Sequence, residues 1–331
     1  MKILRWTVIA LFLSITACTT LSQEPKPIKV IVFPGGFNWP IWAASEKGFF
    51  IANGVHPVVT PTPNSQTQML GLIDGTYDLA MTAIDNTIAY KEGQSGTSAN
   101  GSDLISVMGG DNGFLRLVSK KEIRSINSLK DKVVSVDSLS TGYAFVLLEL
   151  LERDGLLLNR DYKVTPAGGV IARYTALIDG KHDATLLVSP FEVMAKAQGL
   201  NQLADASAVL GNYQGLVATV RSTWAMNNES IVVGYIRGYR EGLEWLYQPQ
   251  NKEEAIALFM KNVPNSSRQA AEFSYSVLLD PQHGFQKGAQ IDMNGVKTVL
   301  ALRSKYGVPK RELMNSENYY DSRYFTKATL N

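Results

Sequence analysis

Between residues 28 and 221 short runs of β-branched and apolar residues alternate with stretches of helical periodicity, the pattern of helices layered on largely parallel sheets. Lys29 to Phe33 predicts a strand, the Pro34-Gly35-Gly36-Phe37-Asn38 segment a turn, and Trp39 to Lys47 a helix that stops at Gly48. His56 to Pro61 reads as a second strand and Asp78 to Ala83 as a third. Between them Asn64 caps a helix carrying Met69, Leu70, Leu72 and Ile73. Leu104 to Met108 is a fourth strand, and the Gly, Ser and Asn of residues 92–103 before it form a surface loop.

The next segment, Gly109-Gly110-Asp111-Asn112-Gly113 followed by extended Phe114 to Val118, reads as a crossing between two lobes. A second α/β series follows, with strands at Val133 to Val136, Tyr162 to Pro166 and Ala184 to Val188. Its helices begin near Thr141, Ile171 and Pro190. Tyr213 to Arg221 is extended again and is the expected return crossing. After Trp224 the chain is mostly helical, with Ile231, Tyr235, Ile236, Tyr239, Leu243 and Leu246 on one apolar face.

The amino terminus has the form of an export leader. Lys2 and Arg5 precede an apolar run through Ile15 that is too short for a conventional membrane span. It ends Ile15-Thr16-Ala17-Cys18, which resembles the lipobox of bacterial lipoproteins, so Cys18 is the expected lipidation site. The alternative is a simple secretory leader cut near Ala17 with Cys18 incidental. Cys18 is the chain's one cysteine, so no internal disulfide can form. Thr19 to Pro27, TTLSQEPKP, reads as a tether. Removing Lys2 and Arg5 with the leader leaves 30 basic against 30 acidic side chains, and no basic run. That balance removes the electrostatic attraction on which nucleic-acid binding depends. Three histidines and one cysteine also argue against a zinc site.

Five stretches lie in collinear order across residues 37–228: FNWPIWAASEKGFFIANGV (Phe37 to Val55), DGTYDLAMTAIDNTIAY (Asp74 to Tyr90), SINSLKDKVVSVDSLSTGYAFVLLELLERDGL (Ser125 to Leu156), GGVIARYTALIDGKHDATLLVSPF (Gly168 to Phe191) and YQGLVATVRSTWAMNN (Tyr213 to Asn228). Through them the chain resembles the substrate-binding proteins of ABC importers in the nitrate, sulfonate, taurine and thiamine-precursor group. The resemblance implies an α/β, type II periplasmic binding protein fold, with two Rossmann-like lobes joined by two crossing segments around a ligand cleft. Its expected division is a signal peptide at 1–17, lipidated Cys18 and tether at 18–27, lobe 1 at 28–112 and 223–331, and lobe 2 at 113–222. It also implies a monomeric, non-enzymatic receptor in the periplasm or at the cell surface. Such a receptor is anchored to the membrane through Cys18 and passes a small organic solute to an ABC permease in the inner membrane, with no cofactor and no metal. The last 70 or so residues are expected to add helical packing.

Ligands of open α/β sheets sit beyond the carboxyl ends of the strands, where helix N-termini aim unpaired N–H groups. Five junctions meet that description. Asn38 and Trp39 open the first, where Asn38 could cap a helix or touch a ligand, and Trp39 could be core or a stacking wall. Asp85 and Asn86 form the second. The third, Asp137-Ser138-Leu139-Ser140-Thr141-Gly142-Tyr143, places hydroxyls of Ser138, Ser140 and Thr141 and the Gly142 amide before a long helix, which suits an anion or polar group. Arg173 follows Gly168-Gly169 at the fourth, where its guanidinium could fork a carboxylate or sulfonate. Ser189-Pro190-Phe191-Glu192 closes the set, Glu192 reading as a helix-dipole partner. Asp111 and Asn112 on one crossing and Tyr213 on the other complete the candidates, with turn formation the competing reading for the first two.

Two alternatives stand beside the receptor. One is a sensor or surface lipoprotein that keeps the cleft without an importer. The other is an enzyme like the pyrimidine synthases that resemble these binding proteins. Those enzymes carry a cysteine-rich run and an active-site histidine, whereas here His56, His182 and His283 all fall away from the five junctions.

Overall fold

The computed structural model describes residues 24–281 and 284–330; the leader, Cys18 and His283 lie outside the described residues. The first lobe opens with β1 (Lys26–Val32), α1 (Trp39–Glu46), α2 (Phe49–Ala52), β2 (Val55–Pro61), α3 (Ser65–Ile73), β3 (Leu79–Ala83), α4 (Ile84–Lys91) and β4 (Leu104–Gly109). The second holds β5 (Arg116–Ser119), β6 (Val133–Val136), α5 (Gly142–Arg153), β7 (Lys163–Pro166), α6 (Val170–Ile178), β8 (Ala184–Leu187), α7 (Phe191–Ala197), β9 (Asn201–Asp205) and α8 (Ala206–Leu210). The chain returns through β10 (Leu216–Arg221) into α9 (Ser222–Asn227), α10 (Glu229–Tyr247), α11 (Lys252–Asn262), α12 (Arg268–Leu278), α13 (Met293–Tyr306) and α14 (Ser322–Thr329).

The two sheets share one plan. Their strand orders are β2-β1-β3-β10-β4 and β7-β6-β8-β5-β9. In each, the first three strands are parallel, and the fourth is antiparallel because it has just arrived from the other lobe. Each lobe therefore lends its neighbour a strand, and the crossings at 110–115 and 211–215 run side by side. Asp111 ties them together by accepting hydrogen bonds from Gly113 N (2.8 Å) and Leu216 N (3.0 Å) on Oδ1.

Two expected boundaries shift, and short elements appear that the periodicity does not mark. Lys26 and Pro27, read as tether, already pair with Val55 and His56 in β1. The lobe boundary expected after residue 222 falls earlier, because β10 is hydrogen-bonded between β3 and β4 of the first sheet. The strand β9, NQLAD, and the short α8 were not foreseen, since the strand carries neither alternation nor β-branched residues. Apart from the short α2, also not expected, the rest of the α/β order agrees with the periodicity, including Asn64, whose side chain accepts from Thr67 N at 2.7 Å.

The expected apolar face of α10 is buried throughout. The same helix carries Gly234, Gly238 and Gly242 four residues apart, and a Cβ at these positions would collide with Asn53 O, Phe50 and Pro40 O respectively. This glycine groove lets α10 pack directly onto α1 and α2. The outer edge of β4 is covered by the C-terminal tail, where Asp321 N donates to Ser106 O at 2.9 Å, so no strand edge is left open there.

Candidate functional site

The C-terminal ends of β1, β3, β4, β6 and β8 converge between the lobes around a cavity of about 70 Å³. Phe33 and Phe37 follow β1, Ala83 and Asn86 stand at the end of β3, Asp111 follows β4, Asp137 follows β6 and Val188 follows β8. Thr141, Gly142 and Tyr143 come from the start of α5, Val170 and Arg173 from the start of α6, and Phe114 and Leu216 from the crossings. Hydrogen bonds between the lobes close over it, among them the following. Gly36 N donates to Ser189 O (3.0 Å), Gly169 N to Pro63 O (2.9 Å), Ser65 N to Asp137 Oδ2 (3.1 Å) and Ser140 Oγ to Ser95 O (2.8 Å). The lobes are thus closed on one another around this space.

The charged side chains on that space are Asp111, Asp137 and Arg173. Arg173 is buried, and its Nη1 and Nη2 donate to Gly168 O (2.8 Å) and Leu186 O (3.3 Å). Burial pulls its pKa down, and the nearby Asp137 opposes that. Burial pushes the Asp111 carboxyl up to about 6 against the Leu216 and Gly113 amides. Asp137 leaves Oδ1 buried and without a partner. Tyr143 adds an aromatic wall whose phenol is held well above its usual range, first by burial and then by Asp111 and Asp85.

Asp85 and Arg303 stand just behind the α5 terminus, and both are fully buried. The Asp85 Oδ1 takes Arg303 Nε at 2.9 Å, while Oδ2 accepts from Gly142 N, the first amide of α5. Arg303 Nη2 donates to Ser140 O, and its guanidinium lies 5.0 Å over the Phe145 ring. Burial pushes the Asp85 carboxyl up, with Arg303 and the Gly142 amide pulling the other way. A Cβ at residue 142 would run into the carboxyl group, so only glycine allows this approach.

Of the residues singled out from sequence, Asn86, Asp111, Thr141, Gly142 and Arg173 come together on the cavity. Trp39 does not. It is fully buried against Phe259 (4.5 Å between ring centroids) and Tyr275 in the first lobe, because α1 turns that face toward the C-terminal helices. Asn38 makes no cap; its Nδ2 ties back to Phe33 O at 2.6 Å. Asn112 stands off the cavity and bonds Gly284 O and Gln286. Ser138 and Ser140 bond one another, so their hydroxyls face the lobe contact rather than the space. Ser189 is spent on Glu192, whose carboxyl burial pushes up to about 6, and Tyr213 is buried behind Asp85 and Tyr143. The anion cradle expected at α5 is already filled, by Asp85.

Sequence reasoning missed Phe33, Phe114, Val170, Val188 and Leu216 as walls, since each reads as ordinary core or strand. Asp137 was legible as the acid ending β6. Arg303 was not, for it lies in the segment expected to do no more than pack. Among the described residues no cluster of three His, Cys, Asp or Glu side chains could hold a metal ion, and no helix is long and apolar enough to cross a membrane.

Two lobes of order 2-1-3-n-4, joined by two crossings and closed over a cavity, define a type II periplasmic binding protein fold. The chain belongs to the NMT1/THI5-like family, whose model matches residues 38–253. Solved structures share the whole architecture at low identity. The ligand-binding component of an ABC-type import system from Staphylococcus aureus, solved with zinc bound, is 13% identical, with 92% of this chain and 99% of that one covered at a TM-score of 0.73. The alkanesulfonate-binding protein SsuA from Xanthomonas axonopodis pv. citri, bound to MOPS, is 15% identical, with 90% and 99% covered at 0.72. The desulfurization enzyme DSZB is 12% identical, with 92% and 98% covered at 0.63, so the fold alone does not separate receptor from enzyme. No curated protein matches the chain.

Proposed function

We propose that this protein is the extracytoplasmic solute receptor of an ABC importer, exported by residues 1–17, anchored through Cys18 and acting as a monomer. Residues 26–112 with 216–330 form one lobe and residues 113–215 the other. The observation that carries the reading is the closed cavity between them, small, walled by Phe33, Phe37, Phe114 and Tyr143, and lined by Asn86, Asp111, Thr141 and Arg173. A space with these walls takes one small organic solute with a flat or apolar body, and sulfonates, aromatic carboxylates and pyrimidine-like compounds are the classes to compare. Contacts from both lobes make the closed form the higher-affinity one, so solute shifts the population toward closure and presents that form to a permease. Among the described residues that line the cavity there is no histidine and no nucleophile–base pair, and capture is the reading we adopt.

Thermal unfolding of the leaderless protein, stripped of ligand by unfolding and refolding, tests this against sulfonates, aromatic carboxylates, aminoheterocycles, amines, nitrate and bicarbonate. Solute at a hundred times its dissociation constant adds about 2.7 kcal/mol, and about 2 °C per kcal/mol in a chain of this size gives a rise of about 5 °C. A shift confined to one chemical class supports the receptor. Turnover of the stabilising compound would refute it in favour of an enzyme.

A further inference from the structure

The N-terminus of α5 is where a solute's anionic head would be expected, because unpaired amides and the helix dipole converge there. In the closed structure that position is taken by the protein's own carboxylate. Asp85 comes from α4 and is gripped by Arg303 of α13, while Gly142 and Ser140 belong to the second lobe. The carboxylate, the guanidinium and the helix end are all buried, and the residue that receives the carboxylate is a glycine because nothing larger fits. What remains open in the cavity is acidic in balance. Asp111 and Asp137 face a single Arg173, and Asp137 Oδ1 has no partner. A second anion brought into this space would meet two carboxylates and find the helix end already neutralised. A group with N–H donors would find Asp137 Oδ1 unpaired, with the Asp111 carboxyl on the same space.

We propose that Asp85 sets the charge selectivity of the site, resting on the receptor reading above. Its carboxylate, held by Arg303, occupies the α5 terminus in place of a solute anion. The receptor therefore closes on a neutral or cationic solute that donates N–H groups to Asp111 and Asp137. Sulfonates and carboxylates are rejected by a group the protein carries itself.

The test compares wild type with Asp85→Ala, which empties the seat and leaves Arg303 and the Gly142 amide facing it. Acetate and methanesulfonate are the probes, read by thermal shift and calorimetry, alongside a panel of amines and amino-substituted heterocycles. Wild type is expected to bind a member of the N–H panel and to ignore both anions. Asp85→Ala is expected to bind acetate or methanesulfonate at least tenfold more tightly than wild type does. Asp85→Ala/Arg303→Met, lacking the guanidinium, is expected to lose that gain. Should Asp85→Ala fail to fold, Asp85→Ser, smaller and uncharged, also vacates the seat, and the same tenfold gain over wild type is expected. Wild type that binds an alkanesulfonate or carboxylate more tightly than any N–H donor overturns the selectivity proposal while leaving the receptor standing. Variants that fold yet gain no anion affinity overturn it as well. If neither wild type nor any variant binds anything in either panel, the receptor reading itself falls and takes the selectivity with it.

Discussion

Replacing Arg303 with methionine removes the one cation that faces the fully buried Asp85 carboxyl, and keeps most of the apolar stem that fills the space over Phe145. Asp85 then retains a single protein donor, the Gly142 amide. Stranding one member of a buried pair costs about 3–5 kcal/mol, which at about 2 °C per kcal/mol lowers the melting temperature by about 6–10 °C. The loss has a pH signature. Burial already pushes the Asp85 carboxyl up and Arg303 is the largest force against it, so its removal raises the folded-state pKa further. A group with a raised folded pKa favours the folded state below its unfolded pKa and loses that contribution as pH rises through the folded value. The variant's deficit should therefore be larger at pH 8 than at pH 5. Urea unfolding at the two pH values measures it directly. A double variant, Asp85→Asn/Arg303→Met, should lose less than the two single losses added together, since no charge is then stranded. A deficit below about 1 kcal/mol, or one independent of pH, would refute the view that the pair is buried, ionised and coupled.

Three further outcomes follow from the same geometry. Asp111, with its pKa pushed up to about 6 by burial and with Asp137, Arg173, Tyr143 and Tyr213 around the same space, should take a proton below that pH; affinity for a cationic solute should then fall about tenfold per pH unit, as calorimetry at pH 5 and 7.5 would show. Trp39→Ala should cost about 3–5 kcal/mol of stability by opening a void beside Phe259 and Tyr275, with the dissociation constant of the folded protein unchanged within about threefold; a larger loss of affinity at full folding would place the indole in the site. Cys18→Ser should move the full-length protein from the membrane fraction to the soluble extracytoplasmic fraction, and an unaltered distribution would remove the lipid anchor.

The closed arrangement also explains why so many hydroxyls and amides near the cleft are not ligand groups. Ser140, Ser65, Gly36 and Gly169 are each occupied in hydrogen bonds between the lobes. Such bonds are individually worth about 0.5–1.5 kcal/mol net. A few of them, exchanged for water on opening, let solute contacts decide the balance.

The α/β order, the two crossings and the buried face of α10 were legible because each is written in consecutive residues: alternation, periods of three and four, and glycines flanking strand ends. The site was legible in part for the same reason. Strand-end acids and amides such as Asn86 and Asp111, and helix-start residues such as Thr141, Gly142 and Arg173, are fixed by where elements stop and begin. β9 was missed because NQLAD has no strand composition and is held in place by pairing with β5. Trp39 and Ser140 were misplaced because the rotation of a helix or loop about its axis is set by what packs on it, and spacing does not reveal that.

The sequence by itself determined a layered α/β chain with two crossings and the strand ends around which a ligand site would form, because local periodicity selects elements and their termini; the two-lobed binding fold came from the resemblance to importer receptors. Only the tertiary structure decided the charge of that site. Asp85 and Arg303 are separated by 218 positions in the chain, and no local pattern couples them. Their meeting at the α5 terminus, made possible by the missing side chain of Gly142, depends on α13 packing against both α4 and α5.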